Sequence, residues 1–102
     1  IYHVAIQIVR EVKVHADRIA MHDAEHAKQT RKASLSIVLN IAEGSATRDG
    51  KRRNRYSDAL GSARETFSAL EVAEALGYTE PMTAQLRNRF DHVIGTLVNL
   101  LR

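Results

Sequence analysis

Five cations crowd into eight residues: Arg48, Lys51, Arg52, Arg53 and Arg55, against Asp49 alone. Arginine grips phosphate through paired N–H groups and lysine acts as a point charge, so this cluster suits contacts along a nucleic-acid backbone. The competing reading is a solvated connection and helix start whose charge serves solubility. Cations near a helix N-terminus oppose the helix dipole by roughly a few tenths of a kcal/mol, which favours a partner that offsets the repulsion. Tyr56 lies close enough to stack on a base, but its place on an apolar stripe assigns it to the core. A second group is Asn40, Glu43 and Glu65. They suit either a shared ligand pocket or polar contacts between helices, with Asn40 and Ser36 bonding across and a glutamate meeting an arginine. The structural alternative is favoured, because buried polar groups must be paired. His22 and His26 are four apart with Asp23 and Glu25 between them, a spacing that offers two metal ligands on a helix, and His15 is a conceivable third. The pattern is not the His-Glu-x-x-His of zinc proteases, and a polar helix junction is the default. No glycine-rich phosphate loop, nucleophile elbow or paired-carboxylate motif is present. No catalytic residue, metal or cofactor is therefore expected.

The elements that must position these groups are helical. The chain has 102 residues, one proline and five glycines, so long helices are barely interrupted. Its length suits one domain with one modest core. No segment alternates apolar and polar residues between turn signals, so no strand is expected. Cysteine is absent, which excludes disulfides and thiolate catalysis. No run of about 18 apolar residues is long enough to cross a membrane. No secretory signal is visible from Ile1 onward, and the expected location is the cytoplasm. The net charge is +3, of which the segment from Arg48 to Arg55 carries +4 and the other 94 residues −1.

Periodicity of 3.6 residues predicts four helices. The first spans Tyr2 to Ala20, with a core stripe of Ile1, Ala5, Ile8, Val12 and Ile19 and an adjacent row of Tyr2, Ile6 and Val9. Asp23 is placed to cap the second, from Ala24 to Ala46. Asp49-Gly50 reads as a turn, and the third helix follows from Lys51 to Leu76 on a seam of Tyr56, Leu60, Ala63, Phe67 and Leu70. Gly77 suits the position that ends it. Thr79 is placed to cap the fourth helix, with Pro81 in its first turn and a stripe of Met82, Leu86, Phe90, Val93, Leu97 and Leu100. Short connections between four such helices give an all-α, up-down-up-down antiparallel bundle. In the hairpin of helices two and three, Asn40 falls near Ser57, Ile37 near Leu60 and Ala33 near Arg64. Small residues face each other there, Ala33, Ser36 and Gly44 against Ala59, Gly61 and Ser62, and Gly61 is expected to be needed for close packing. Phe67 and Phe90 are expected to anchor the core.

One stretch has more apolar surface than one core requires. Between Leu35 and Ala42 only Ser36 and Asn40 are polar, and the apolar residues cover an arc of roughly 200°. An arc of about 100° is enough to face a single core. The surplus, with the second row of the first helix, predicts a contact with another copy of the chain.

The residues Gln29, Arg31-Lys32-Ala33, Ser36-Ile37, Asn40-Ile41-Ala42-Glu43-Gly44, Gly61-Ser62, Glu65 and Leu76-Gly77 resemble the four-helix-bundle proteins of the 23S ribosomal RNA intervening-sequence family. The resemblance runs from Tyr2 into the last helix. It implies a bacterial protein and a ring-like homopentamer. It also implies kinship with the accessory proteins of diversity-generating retroelements, which work with a reverse transcriptase and nucleic acid. The family pattern has Pro after Ser-Ile, where this chain has Val38, so a less kinked second helix is expected.

Three functional readings follow. The first is a non-enzymatic oligomeric scaffold that binds RNA, DNA or a nucleic-acid enzyme through Arg48, Lys51, Arg52, Arg53 and Arg55. The second is a protein-only assembly module. The third is a small enzyme or metal protein built on His22 and His26. No aromatic-interleaved platform and no base-reading helix is visible, so any nucleic-acid contact is expected to ignore sequence.

Overall fold

The computed structural model describes residues 1–102 as four helices: α1 (Tyr2–Ile19), α2 (Ala24–Ala46), α3 (Asp49–Ala75) and α4 (Ala84–Leu100). Each packs on its neighbours in chain order, and α4 closes the square against α1. Neighbours run antiparallel, as their cross-contacts show. Gly44 meets Tyr56 and His26 meets Ala69 along α2 and α3. Phe67 meets Phe90 and Glu74 meets Arg87 along α3 and α4. This is the expected all-α, four-helix bundle without strands. The long dimension is 42 Å, which matches a 27-residue α3 at about 1.5 Å per residue.

The core stripe of α1 is Ala5, Ile8, Val12, Ala16 and Ile19, spaced three or four apart. From α4 come Leu86, Phe90, Val93 and Leu97, joined by Met82 from the preceding connection. Phe90 is fully buried and takes the edge of Phe67 at a ring separation of 5.4 Å. Phe67 itself is half-buried, so it flanks the core and does not anchor it as Phe90 does. Leu100, placed on the stripe from sequence, is 51% exposed because α4 ends there.

The buried stripe of α3 is rotated from the expected seam. It is Ala59, Ala63, Thr66, Leu70 and Ala73, while Tyr56, Leu60 and Phe67 are half-buried beside it. Small residues let the α3 backbone lie close to the core, and the larger rings then spread into the grooves toward α2 and α4. Two threonines are fully buried within this packing. Thr30 donates its hydroxyl hydrogen to the His26 carbonyl and Thr66 to that of Ser62, so neither is left unpaired.

The caps explain where the helices stop. Asp23 accepts a hydrogen bond from the His26 N–H at 2.9 Å, the N-cap expected of it. α3 ends with Gly77 at φ +76°, while Tyr78 N–H donates to the Ala73 carbonyl and Gly77 N–H to that of Glu74. That pairing is a Schellman ending, in which glycine takes the left-handed position. Two expected boundaries move. Asp49 and Gly50 form the first turn of α3 and not a separate turn, with Asp49 held at φ +58°. The connection from α2 is thereby reduced to Thr47 and Arg48, both extended. At α4 the cap is Thr83, whose hydroxyl oxygen accepts from Leu86 N–H at 3.0 Å. Thr79 is engaged elsewhere, and Pro81 lies in the connection.

Candidate nucleic-acid interface

The α2–α3 connection brings the five cations to one end of the bundle, beside the N-terminus of α1 and the last turn of α4. Arg48 is the N-cap residue of α3, and Lys51, Arg52, Arg53 and Arg55 follow within its first two turns. All five are exposed. None forms an ion pair within the chain, although Lys13, Arg31, Arg87 and Arg89 all do. The five are not equivalent. Arg52 donates its Nε–H to the Gly44 carbonyl at 3.2 Å and to the Thr47 carbonyl at 2.8 Å. It supplies the positive charge missing from the last turn of α2 and holds the hairpin shut. Its terminal guanidinium nitrogens remain available, but the side chain also has a structural duty that its sequence position did not reveal. Arg55 reaches back over α2, with Nη1 at 3.5 Å from Asn40 Oδ1.

That contact is one end of a short polar ladder along the α2–α3 seam. Asn40 Nδ2 donates to the Ser36 carbonyl and hydroxyl oxygens, both at 3.0 Å. The hydroxyl oxygens of Ser36 and Ser62 are 2.7 Å apart. Ser36 and Ser62 therefore bond across the seam, in a register within about two residues of the sequence expectation, while Asn40 bonds Ser36 within α2 and reaches α3 only through Arg55. The ladder lines one side of a cavity of about 440 Å³ that Lys32, Leu35, Leu39, Glu43 and Arg55 complete. Glu43 and Glu65 are exposed, and neither meets an arginine. They have turned outward because α2 and α3 meet through residues too small to leave room for a buried carboxylate.

The two glycines expected at this seam behave differently. Gly44 is buried, and a Cβ there would lie 2.5 Å from Tyr56 Cε1. Gly44 is thus the residue that allows close approach, and the tyrosine ring fills the space. Gly61 is exposed with nothing within 4 Å of a Cβ, so it is not needed for packing α2 on α3. The α3 rotation accounts for this, since it carries Gly61 outward while Ala59 and Ala63 turn in.

The histidines lie at the opposite end and grip the α3–α4 connection. His22 stacks on Tyr78 at 4.9 Å with the rings nearly parallel, and His26 meets the same ring edge-on at 5.9 Å. His26 Nε2–H donates to the Ala69 carbonyl at 2.9 Å. His15 Nδ1 is 2.9 Å from the Thr79 hydroxyl. The imidazoles of His15, His22 and His26 are therefore engaged with the connection and with α3, and do not converge on a common point. Burial, then the charge of Arg18, lowers the His15 pKa below 6.5, against the opposing pull of Glu11 and Glu74. Asp17, on the outside of α1, accepts hydrogen bonds from Lys13 and Arg31, and these hold its carboxyl below its ordinary 3.8.

No helix is long and apolar enough to cross a membrane. No curated protein and no solved structure matches the chain. The family described as 23S rRNA-intervening sequence protein matches residues 1–99, nearly the whole length and all four helices. The motif residues at the α2–α3 seam and the Leu76-Gly77 helix ending thus sit within a match that covers the bundle, and the chain belongs to the 23S rRNA-intervening sequence protein family.

Proposed function

We propose that this protein is a non-enzymatic scaffold that self-assembles and binds RNA, DNA or a nucleic-acid enzyme through the basic end of its bundle. The observation that carries the reading is the state of the five cations. Every one is exposed, none has a carboxylate partner, and the five crowd into eight residues at one end of the bundle, whereas the other unpaired cations, such as Arg10, Lys28 and Arg64, are scattered along the chain. Unpaired like charges on one end repel each other, and polyanion binding relieves that repulsion while releasing counterions.

Self-assembly is supported by Leu35 and Leu39, one turn apart on α2 and 51% and 54% exposed. Tyr2, 42% exposed, extends the apolar surface on α1. The number five is what the family resemblance implies, as is work alongside a reverse transcriptase. A ring of five would repeat the basic segment at one end and present on the order of 20 net positive charges in a belt. Phosphate contacts of this kind position a polyanion without reading its sequence.

The test measures binding of RNA and DNA against salt, beside light scattering. If about four phosphates are neutralised, log K falls with log salt at a slope of roughly −3 to −4. Absence of binding at low salt leaves the protein-only assembly module in its place. A stable monomer at micromolar concentration removes the assembly.

A further inference from the structure

We infer that a cleft at the basic end is a notch for one unstacked nucleotide of a single strand, an inference that rests on the nucleic-acid reading above. The cleft has a volume of about 420 Å³ and is lined by Asp49, Arg52, Arg53, Tyr56 and Leu100. Ligand clefts start at about 300 Å³, so this one holds a small planar group with a phosphate. Its residues come from two elements. Asp49, Arg52, Arg53 and Tyr56 share one face of α3 at spacings of three and four, and Leu100 forms a wall from the last turn of α4.

Each lining residue has a definite part. Arg52 is preorganised, because its Nε–H is already bound to two carbonyls and its terminal nitrogens are left for an incoming oxyanion. Arg53 is exposed and has no ion-pair partner. Tyr56 is half-buried with its ring edge set against Gly44. It is also the one tyrosine of three whose ring meets no other aromatic ring, since Tyr2 pairs with His3 and Tyr78 with His22 and His26. Leu100, 51% exposed, offers an apolar surface across from it. Asp49 repels phosphate from the rim and accepts hydrogen bonds from an amino or ribose hydroxyl group, which directs the phosphate toward the arginines. A fixed guanidinium, a second cation, an aromatic ring and an apolar wall suit a base together with its phosphate. Bases in a duplex are stacked inward, so a single strand supplies such a group at far smaller cost.

The test uses the full chain and two readouts. The chain has three tyrosines and no tryptophan. Replacing Tyr2 and Tyr78 by Phe therefore leaves Tyr56 as the sole emitter. The probes are a fluorescein-labelled oligouridylate of about ten nucleotides, a duplex of the same length, and uridine monophosphate. The expected result is tighter binding of the single strand than of the duplex, with quenching of Tyr56 emission. Tyr56→Leu should weaken the single strand by roughly five- to hundredfold, and Tyr56→Phe should preserve it. Arg53→Gln, at an exposed site that leaves folding intact, should also weaken it. Equal affinity for both probes with no quenching overturns the notch, and the basic-face reading survives if salt-sensitive duplex binding persists. No binding of any probe at low salt overturns both. Quenching by uridine monophosphate as strong as by the oligomer overturns the strand and assigns the cleft to free nucleotides.

Discussion

At one end of the bundle three histidines hold Tyr78 and Thr79. At the other, five cations surround the α2–α3 connection and none meets a carboxylate. Both ends join helices with few residues, yet they spend their polar side chains differently. The histidine end turns its rings onto the chain itself, His15 and His26 half-buried and His22 laid on Tyr78 from the surface. The basic end turns its groups outward; Arg52 is drawn into the fold by two bonds, and Arg55 makes one long contact to Asn40. A folded chain gains little from keeping like charges exposed and unpaired, so an outward-facing cluster points to recognition. An inward-facing cluster of the same polarity points to folding.

The largest expected effect separates these two roles. Replacing Lys51, Arg53 and Arg55 together with Gln should reduce the salt slope of nucleic-acid binding by about three, while the melting temperature stays where it was. Arg52→Gln should do the reverse in part, lowering melting through the loss of its bonds to the Gly44 and Thr47 carbonyls. Hydrogen bonds to a charged group contribute about 1.5–3 kcal/mol when buried and less at an exposed site such as this. If the triple replacement melts early or Arg52→Gln melts normally, the division of labour at this end is misassigned.

Next in size is Tyr78→Ala at the opposite end. It removes two aromatic contacts worth about 0.5–1.5 kcal/mol each, so a loss of about 1–3 kcal/mol is expected in melting. Nucleic-acid binding should not change. A binding defect as large as the triple variant's would show that the two ends are not independent.

Much of this was legible in the sequence, and the exceptions have physical causes. The helix count, the Asp23 cap, the Gly77 ending and the cationic cluster are local signals, carried by residues close together in the chain. The phase of α3 was partly misread because Tyr56, Leu60 and Phe67 outweigh smaller residues in an apolar pattern, whereas the structure buries Ala59, Thr66 and Ala73 beside the expected Ala63 and Leu70. The Thr79 cap was misread because its true partner is His15, 64 positions away, which no local rule sees. Arg52 as a helix cap depends on the shortness of the connection, and that followed from Asp49 taking a left-handed conformation. Tyr56 was assigned to the core, and no local pattern hints that Leu100, 44 positions on, lines the same cleft.

The glycine pair gives a smaller effect of opposite sign at its two positions. Alanine is better than glycine in a helix by about 1 kcal/mol. Gly61→Ala meets nothing within 4 Å and should gain up to that amount in melting. Gly44→Ala would press on Tyr56 at 2.5 Å. Overpacking costs about 1–3 kcal/mol, so a net loss of up to ~2 kcal/mol is expected. A loss at Gly61 in the assembled protein, but not in a monomeric variant, would mean that a second copy covers that face.

The smallest effect is a pH dependence confined to the histidine end. The His15 pKa is lowered from 6.5, chiefly by burial and secondarily by Arg18. Above pH 6.5 the imidazole is neutral in both folded and unfolded chains, and its contribution is fully present. As pH falls through 6.5 the unfolded chain binds the proton first, so unfolding is favoured. The loss grows until pH passes the lower folded value and then levels off. The contribution of Asp17 is lost only further into acid, below its ordinary 3.8, well after the His15 decline has begun. Melting followed from pH 8 to 5 should therefore show a decline that begins near 6.5. His15→Gln, which keeps a partner for the Thr79 hydroxyl, should flatten that decline while leaving nucleic-acid binding at the far end unchanged. An equal decline in the variant would remove His15 as the pH-sensitive member of the grip.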